Sequence, residues 1–129
     1  MAQTQAIPTE GLYEMADLIG GVAASAVKSM VCIKTSCTAN AAQTYAAITK
    51  CTESGFTVGD CSSVTAPNNT IVAVRTFTAG ATATVLGTAA LNDDDDCIMG
   101  IACWAAALPM EVGDSIEATF TWTLTDETT

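Results

Sequence analysis

The stretch that decides the fold is 115-SIEATFTWTLT-125, which alternates apolar and polar residues without a fault. Ile116, Ala118, Phe120, Trp122 and Leu124 fall on one face, and Ser115, Glu117, Thr119, Thr121, Thr123 and Thr125 on the other. Side chains on a strand point alternately to its two faces, so this pattern predicts a half-buried strand with one dry face and one hydroxyl-rich face. At ~3.3 Å per residue it would span about 35 Å, well beyond the usual strand of ~5–6 residues. Gly113 and Asp114 supply the turn before it. A long closing strand of this kind marks an all-β domain, and it carries no catalytic group.

Composition narrows the function. With 129 residues the chain is long enough for one domain with a core of its own. Half the residues are apolar but only 5% are aromatic, so small and β-branched side chains must do most of the packing. The formal net charge is −10, and Lys28, Lys34, Lys50 and Arg75 are the only cations. So few scattered positive charges cannot neutralise a phosphate backbone, and an anionic membrane would repel the chain, so neither nucleic acid nor membrane is expected as a partner. Histidine is absent. That removes the usual general base and the Ser-His and Cys-His nucleophile pairs, and no enzyme activity is expected. Residues 1–11 lack the basic and apolar regions of a secretory signal, and the apolar stretch 18–27 is too short to span a bilayer.

Along the chain, residues 1–9 are polar with Pro8 and read as an extended arm, ordered by a neighbouring subunit. Residues 10–129 read as a single β-rich domain. Thr9 is placed to cap a helix over 10–19 whose stripe is Leu12, Met15, Ala16 and Ile19. Gly20 and Gly21 stop it, and Val22, Ala23, Ala26 and Val27 would resume the stripe. Strands are expected at 30–35, 71–79, 82–91 and 97–105, with weaker signals at 45–52 and 56–64. Pro67-Asn68-Asn69 and Asn92 to Asp96 are turns. The expected architecture is mainly β, a single-domain β-sandwich of jelly-roll type with a short N-terminal helix and an arm.

Four groups of residues invite a functional reading. Asp93, Asp94, Asp95 and Asp96 form the densest charge. They read either as a solvated hairpin tip or as a Ca²⁺ site, and Ca²⁺ is the one cofactor the sequence offers. The tip is preferred because EF-hand spacing is missing and four consecutive residues cannot all face one ion. Gly113-Asp114-Ser115-Ile116 is similar to a block of some lipases and esterases, but its serine has no histidine to act as base, so it reads as a turn into a strand. Cys32, Cys37, Cys51, Cys61, Cys97 and Cys103 are even in number with no Cys-x-x-Cys. They read as mainly reduced core residues or as forming one or more disulfides. Cys97 and Cys103 would lie ~20 Å apart on one strand and cannot pair with each other. Trp104 and Trp122, with Phe120, read as core or subunit-contact residues rather than a sugar-stacking platform. Asn68-Asn69-Thr70 has the form of a glycosylation sequon and reads as a turn.

The order of segments resembles a family of small virion proteins of tailed phages and related prophages, of the tail-fibre or capsid-auxiliary kind. The match runs from a short helix ending in Gly20-Gly21, through a strand and the small-residue loop Ile33-Lys34-Thr35-Ser36-Cys37-Thr38-Ala39, to the turn Asn68-Asn69-Thr70. It continues with a strand closing on Thr76-Phe77-Thr78 and ends at Gly113-Asp114-Ser115-Ile116 and the alternating strand. The loop glycines of the family are replaced here, and the Asp run and the cysteines are particular to this chain. The resemblance implies a β-rich virion subunit and carries over no catalytic residue.

The function expected is therefore that of a virion structural protein, assembled in a host cytoplasm as a capsid decoration or auxiliary subunit or a tail component. Its partners would be further copies of itself and other virion proteins, such as a major capsid protein or tail proteins. The runner-up is a carbohydrate- or receptor-binding module using Trp104, Trp122 or Ca²⁺ at Asp93 to Asp96. Third is an extracellular filament subunit.

Overall fold

A computed structural model describes residues 3–21 and 24–125. Over the described residues the protein is mainly β, with one short helix and two antiparallel sheets. The strands are β1 (Gln3–Ala6), β2 (Val27–Ile33), β3 (Gly59–Asp60), β4 (Ser63–Thr65), β5 (Thr70–Thr78), β6 (Ala83–Asn92), β7 (Ile98–Met110) and β8 (Ser115–Thr123), and the helix α1 (Thr9–Ile19) follows β1. One sheet has the order β1-β7-β6-β2-β3 and the other the order β4-β5-β8.

The terminal strand behaves as its alternation requires. β8 pairs with β5 over nine unbroken residue pairs, from Thr70 opposite Thr123 to Thr78 opposite Ser115. Ala118 and Trp122 are buried, Ile116 and Phe120 half-buried, and the polar residues between them exposed. These side chains join Met30 and Cys32 of β2, Ala73 and Phe77 of β5, Val85 and Ala90 of β6 and Met99 of β7 in one apolar cluster fed by both sheets. A second cluster lies on the other face of the five-stranded sheet, where Val31, Ile33, Ala89, Leu91, Ile98 and Ile101 meet Ile48 from the long β2–β3 connection. The disulfide Cys37–Cys103 straps that connection to β7, with its Cα atoms 5.6 Å apart. Cys32, Cys51, Cys61 and Cys97 are free, so the chain combines the two cysteine states that its composition left open.

The N-terminal segment differs from expectation. Residues 3–6 of the expected arm are the strand β1, paired with β7 of the same chain from Gln3 opposite Trp104 to Ala6 opposite Ile101. Residues 1–2 lie outside the described range. The polar sequence Gln3-Thr4-Gln5 carries no burial signal, because it stays exposed and is held by backbone hydrogen bonds to the strand beside it.

The helix keeps its place but not its face. Pro8, not Thr9, is the N-cap, and no side chain caps the helix. Three of the four stripe residues are exposed: Leu12 at 49%, Ile19 at 77%, and Ala16. α1 docks instead through Gly11 and Glu10. A Cβ on Gly11 would collide with the carbonyl oxygen of Ile98, so only glycine lets the helix lie on the β7 backbone. Glu10 Oε1 accepts the backbone N–H groups of Tyr45 (3.0 Å) and Ile98 (2.7 Å). A helix that seats on backbone uses a small residue and a carboxylate, and that leaves its apolar stripe outside. The expected resumption at Val22 and Ala23 lies outside the described residues, and Val27 opens β2.

Other boundaries move for identifiable reasons. The segment 45–52 is turn and loop, touching β2 by one isolated bridge between Lys50 and Ile33. The segment 56–64 is broken at Cys61 and Ser62, where the chain leaves β3 in one sheet and enters β4 in the other. β7 runs through Pro109 to Met110, five residues past its expected end, because Leu108, Pro109 and Met110 still pair with Val85, Thr84 and Ala83 of β6.

Candidate functional site

The two sheets meet along two seams that are finished differently. At one, the chain passes directly from β3 to β4, and Arg75 of β5 reaches across. Its Nη1 donates to the carbonyl oxygens of Met30, Thr57 (2.9 Å) and Gly59 (3.1 Å). The guanidinium also lies over the Phe77 ring, 4.3 Å from its centroid. A planar cation with several donors suits three converging carbonyls, and burial lowers its pKa only from a very high starting value, so it stays charged.

At the other seam, β8 and β1 are the outer strands of their sheets and are not paired with each other. Between them lies a groove of ≈ 720 Å³. Its floor is Gly100, Ala102 and Trp104 of β7, one wall is the apolar face of β8, and Ile7, Leu12 and Met15 close the end nearest α1. The three residues singled out as core or contact candidates therefore converge here. Trp122 is buried and its Nε1 donates to the Met99 carbonyl oxygen at 3.0 Å. Phe120 stacks on it with ring centroids 5.8 Å apart. A Cβ at Gly100 would stand 3.1 Å from Phe120 Cδ1 and 3.2 Å from Trp122 Cζ2, so that glycine makes room for both rings. Phe120 and Trp104 stay half-buried, with part of each facing the groove.

The free edge of β8 is defined by backbone direction. Leu124 N–H donates to Asn69 O and Asp114 O accepts from Ala79 N–H, each at 2.8 Å, so even-numbered residues aim their peptide groups at β5. Along an antiparallel strand successive residues alternate in this respect. The N–H and C=O groups of Glu117, Thr119, Thr121 and Thr123 consequently face away from β5, beside the groove. Outside the groove, α1 also exposes Tyr13 (69%) and Ile19 (77%).

The acidic run is a turn between β6 and β7, and its carboxylates go separate ways. Asp93 pairs with Lys28 at 3.2 Å, and Asp94 accepts from Ser25 Oγ at 2.6 Å. Asp96 accepts from the Asn92 amide at 2.8 Å, and Asp95 Oδ1 has no hydrogen-bond partner. Among the described residues no three His, Cys, Asp or Glu side chains are grouped to hold a metal ion, so the Ca²⁺ alternative finds no converging set. Asn92, fully buried, is the residue that organises this turn. Its Nδ2 also donates to Glu14 of α1 at 2.6 Å, and its Oδ1 accepts the N–H groups of Asp96 and Cys97.

No thiol is activated. Burial pushes Cys32 far up and Cys51 up to about 11. Burial together with Glu10, Glu14 and Asp96 pushes Cys97 up to about 12. A thiolate nucleophile needs the opposite shift. Gly113-Asp114-Ser115-Ile116 is the turn into β8, where Ser115 Oγ lies 3.3 Å from Thr78 Oγ1. The Asn69 amide donates to Leu124 O at 2.9 Å and ties the Pro67-Asn68-Asn69 turn to the chain just past β8.

Sequence reasoning missed the Arg75 clamp, the β1 edge and the outward face of α1. A lone arginine at the middle of an otherwise uncharged strand was the available signal for the first. Nothing local marks the other two, which depend on what packs beside them. No match to the chain is found among protein-family models, curated proteins or solved structures.

Proposed function

We propose that this chain is a structural subunit of a tailed-phage-like virion, a capsid decoration or auxiliary protein or a tail component, that works by association and not by catalysis. In this reading the two sheets form a β-sandwich of jelly-roll type, and the open seam is the surface that meets its neighbours. The observation that carries it is the groove itself. Half-exposed Phe120 and Trp104, with Leu12 and Met15 of α1, line one groove beside an unpaired strand edge. Contiguous apolar surface rimmed by polar residues is what interaction sites present, and an isolated domain gains nothing by leaving it wet. The partners in this reading are further copies and other virion proteins.

The sugar-binding alternative gains no such support. Trp122 is buried and its indole N–H is already used, so of the two tryptophans only Trp104 stays half-exposed. Quantitative mass spectrometry of density-purified particles tests the virion reading. Recovery at a fixed copy number relative to the major shell or tail protein is expected. Abundance in the cell extract with none in any particle fraction would overturn it.

A further inference from the structure

Four strands bound the two sheets, and they are not equivalent. β1 has four residues, β3 two and β4 three. Short edges of that kind offer little to pair with. β8 has nine, and it contains no lysine and no proline, the residues that commonly blunt an edge. Its single charge is Glu117, and its outward peptide groups are those of Ser115, Glu117, Thr119, Thr121 and Thr123.

We propose that the free edge of β8 pairs with β8 of a second copy of this chain, antiparallel and about a two-fold axis through Thr119. This rests on the reading of the chain as an assembling subunit and names its partner at the open seam. The two three-stranded sheets would join into one of six strands, in the order β4-β5-β8-β8-β5-β4.

Three features select this occupant and this register. Thr119 is the midpoint of β8, so an axis through it pairs all nine residues with nine. Outward-pointing peptide groups then face outward-pointing peptide groups, as an antiparallel ladder requires. Charge permits it as well. Glu117 falls opposite Thr121 of the second copy, and the two Glu117 residues stand four positions apart, about 14 Å. That separation exceeds the ~8 Å screening length at physiological salt. The four cations of a chain with net charge −10 lie off this edge, so contact along an almost uncharged strip is the arrangement that least opposes two acidic copies. Finally, Thr119 meets Thr119 in the outer row and Thr123 meets Ser115 of the second copy, and cross-strand Thr–Thr and Thr–Ser pairs are favourable.

Cysteine and charge substitutions in the full chain read the register directly. T119C places one thiol opposite its own copy, at the Cα spacing of ~5.5 Å that a disulfide accepts. Mild oxidation with oxidised glutathione should convert T119C to a covalent dimer on a non-reducing gel, whereas T121C and the wild type should remain uncrosslinked. T121E sets two like charges across the junction and T121K two opposite ones. Their dimer dissociation constants, from sedimentation equilibrium, should differ by ~10-fold or more, with T121E the weaker. Circular dichroism of each variant establishes that it folds, and the charge pair decides if T119C does not. Equal constants for T121E and T121K, crosslinking of T121C in place of T119C, or a T119C crosslink only to a different particle protein would each overturn the pairing. Presence in particles without the T119C dimer would overturn this contact alone. A T119C dimer with no chain in particles would overturn the virion reading alone.

Discussion

The seam at β3 and β4 and the seam at β1 and β8 solve the same geometric problem in opposite ways. At the first, the chain itself crosses between the sheets, and the Arg75 guanidinium gathers the carbonyls of Met30, Thr57 and Gly59. Those three carbonyls share the donor of one internal side chain. At the second, apolar side chains line a groove that no segment of the described chain fills, and a row of peptide groups faces outward. A domain that closes one side with its only arginine and leaves the other side open has placed its unmet interactions on one surface. The contrast teaches where to look for the proposed function: the closed seam holds the fold, and the open one is the surface the proposal assigns to association.

Removing the wall that both the core and the groove share should produce the largest effect. Trp122→Ala deletes a buried ring and orphans the Met99 carbonyl, and a buried tryptophan truncated to alanine typically costs ~3–5 kcal/mol. Against a total stability of ~5–15 kcal/mol that should lower the urea midpoint sharply or leave the protein insoluble. If Trp122→Ala unfolds at the wild-type midpoint, the ring contributes nothing to the core.

Breaking the closed seam should cost somewhat less. Arg75→Met keeps much of the aliphatic stem over Phe77 but strips three carbonyls of their donor. Bonds to a charged donor are worth ~1.5–3 kcal/mol, and water reaching this half-buried seam offsets part of the loss, so a decrease of about 2–3 kcal/mol in chemical denaturation is expected. Association should survive in the fraction that folds. Loss of association with unchanged stability would reverse the roles assigned to the two seams.

The closed body of the molecule also holds its buried thiols in the protonated state, and that has a pH signature. Cys32, Cys51 and Cys97 have folded pKa values raised by burial above those of an unfolded chain. As pH passes ~8.5 the unfolded chain loses protons that the folded chain keeps, so stability is full below that pH and falls above it. The slope approaches ~1.4 kcal/mol per pH unit for each thiol, and urea midpoints at pH 7, 9 and 10 measure it. A flat profile would place these thiols in water.

At the small end, Thr121→Ala on the exposed face of β8 should change stability by less than ~0.5 kcal/mol, as surface substitutions do. A larger loss would show that the outer row supports the fold as well as the edge.

How far these features could be read in advance depended on their range. β8 was legible because Ile116, Ala118, Phe120 and Trp122 are buried or half-buried at strict period two, and a two-residue period survives any choice of partner strand. β5 was legible on the same ground and β6 as an apolar run ended by the Asn-Asp turn, each to within about one residue. β1 was not, since Gln3-Thr4-Gln5 is exposed on both faces and is a strand only because β7 runs beside it. The helix was found by its stripe, but the stripe points outward, because contact with the β7 backbone selects Gly11 and Glu10 over leucine. The Cys37–Cys103 bond joins residues 66 apart, a distance no spacing rule bridges. Phe120, Trp122 and Trp104 were recognisable as core or contact residues. That they meet at an open seam follows from the strand order alone, and strand order is set by long-range pairing.

Amide hydrogen exchange along β8, followed by NMR in dilute and in assembled protein, tests the open seam most directly. In dilute protein, Ala118, Phe120 and Trp122, whose N–H groups face β5, should be protected, and Glu117, Thr119, Thr121 and Thr123 should exchange rapidly. On assembly the second set should become protected while the first is unchanged. Equal protection of both sets in dilute protein, or fast exchange of the outward set in the assembled state, would contradict the assignment of this edge to association.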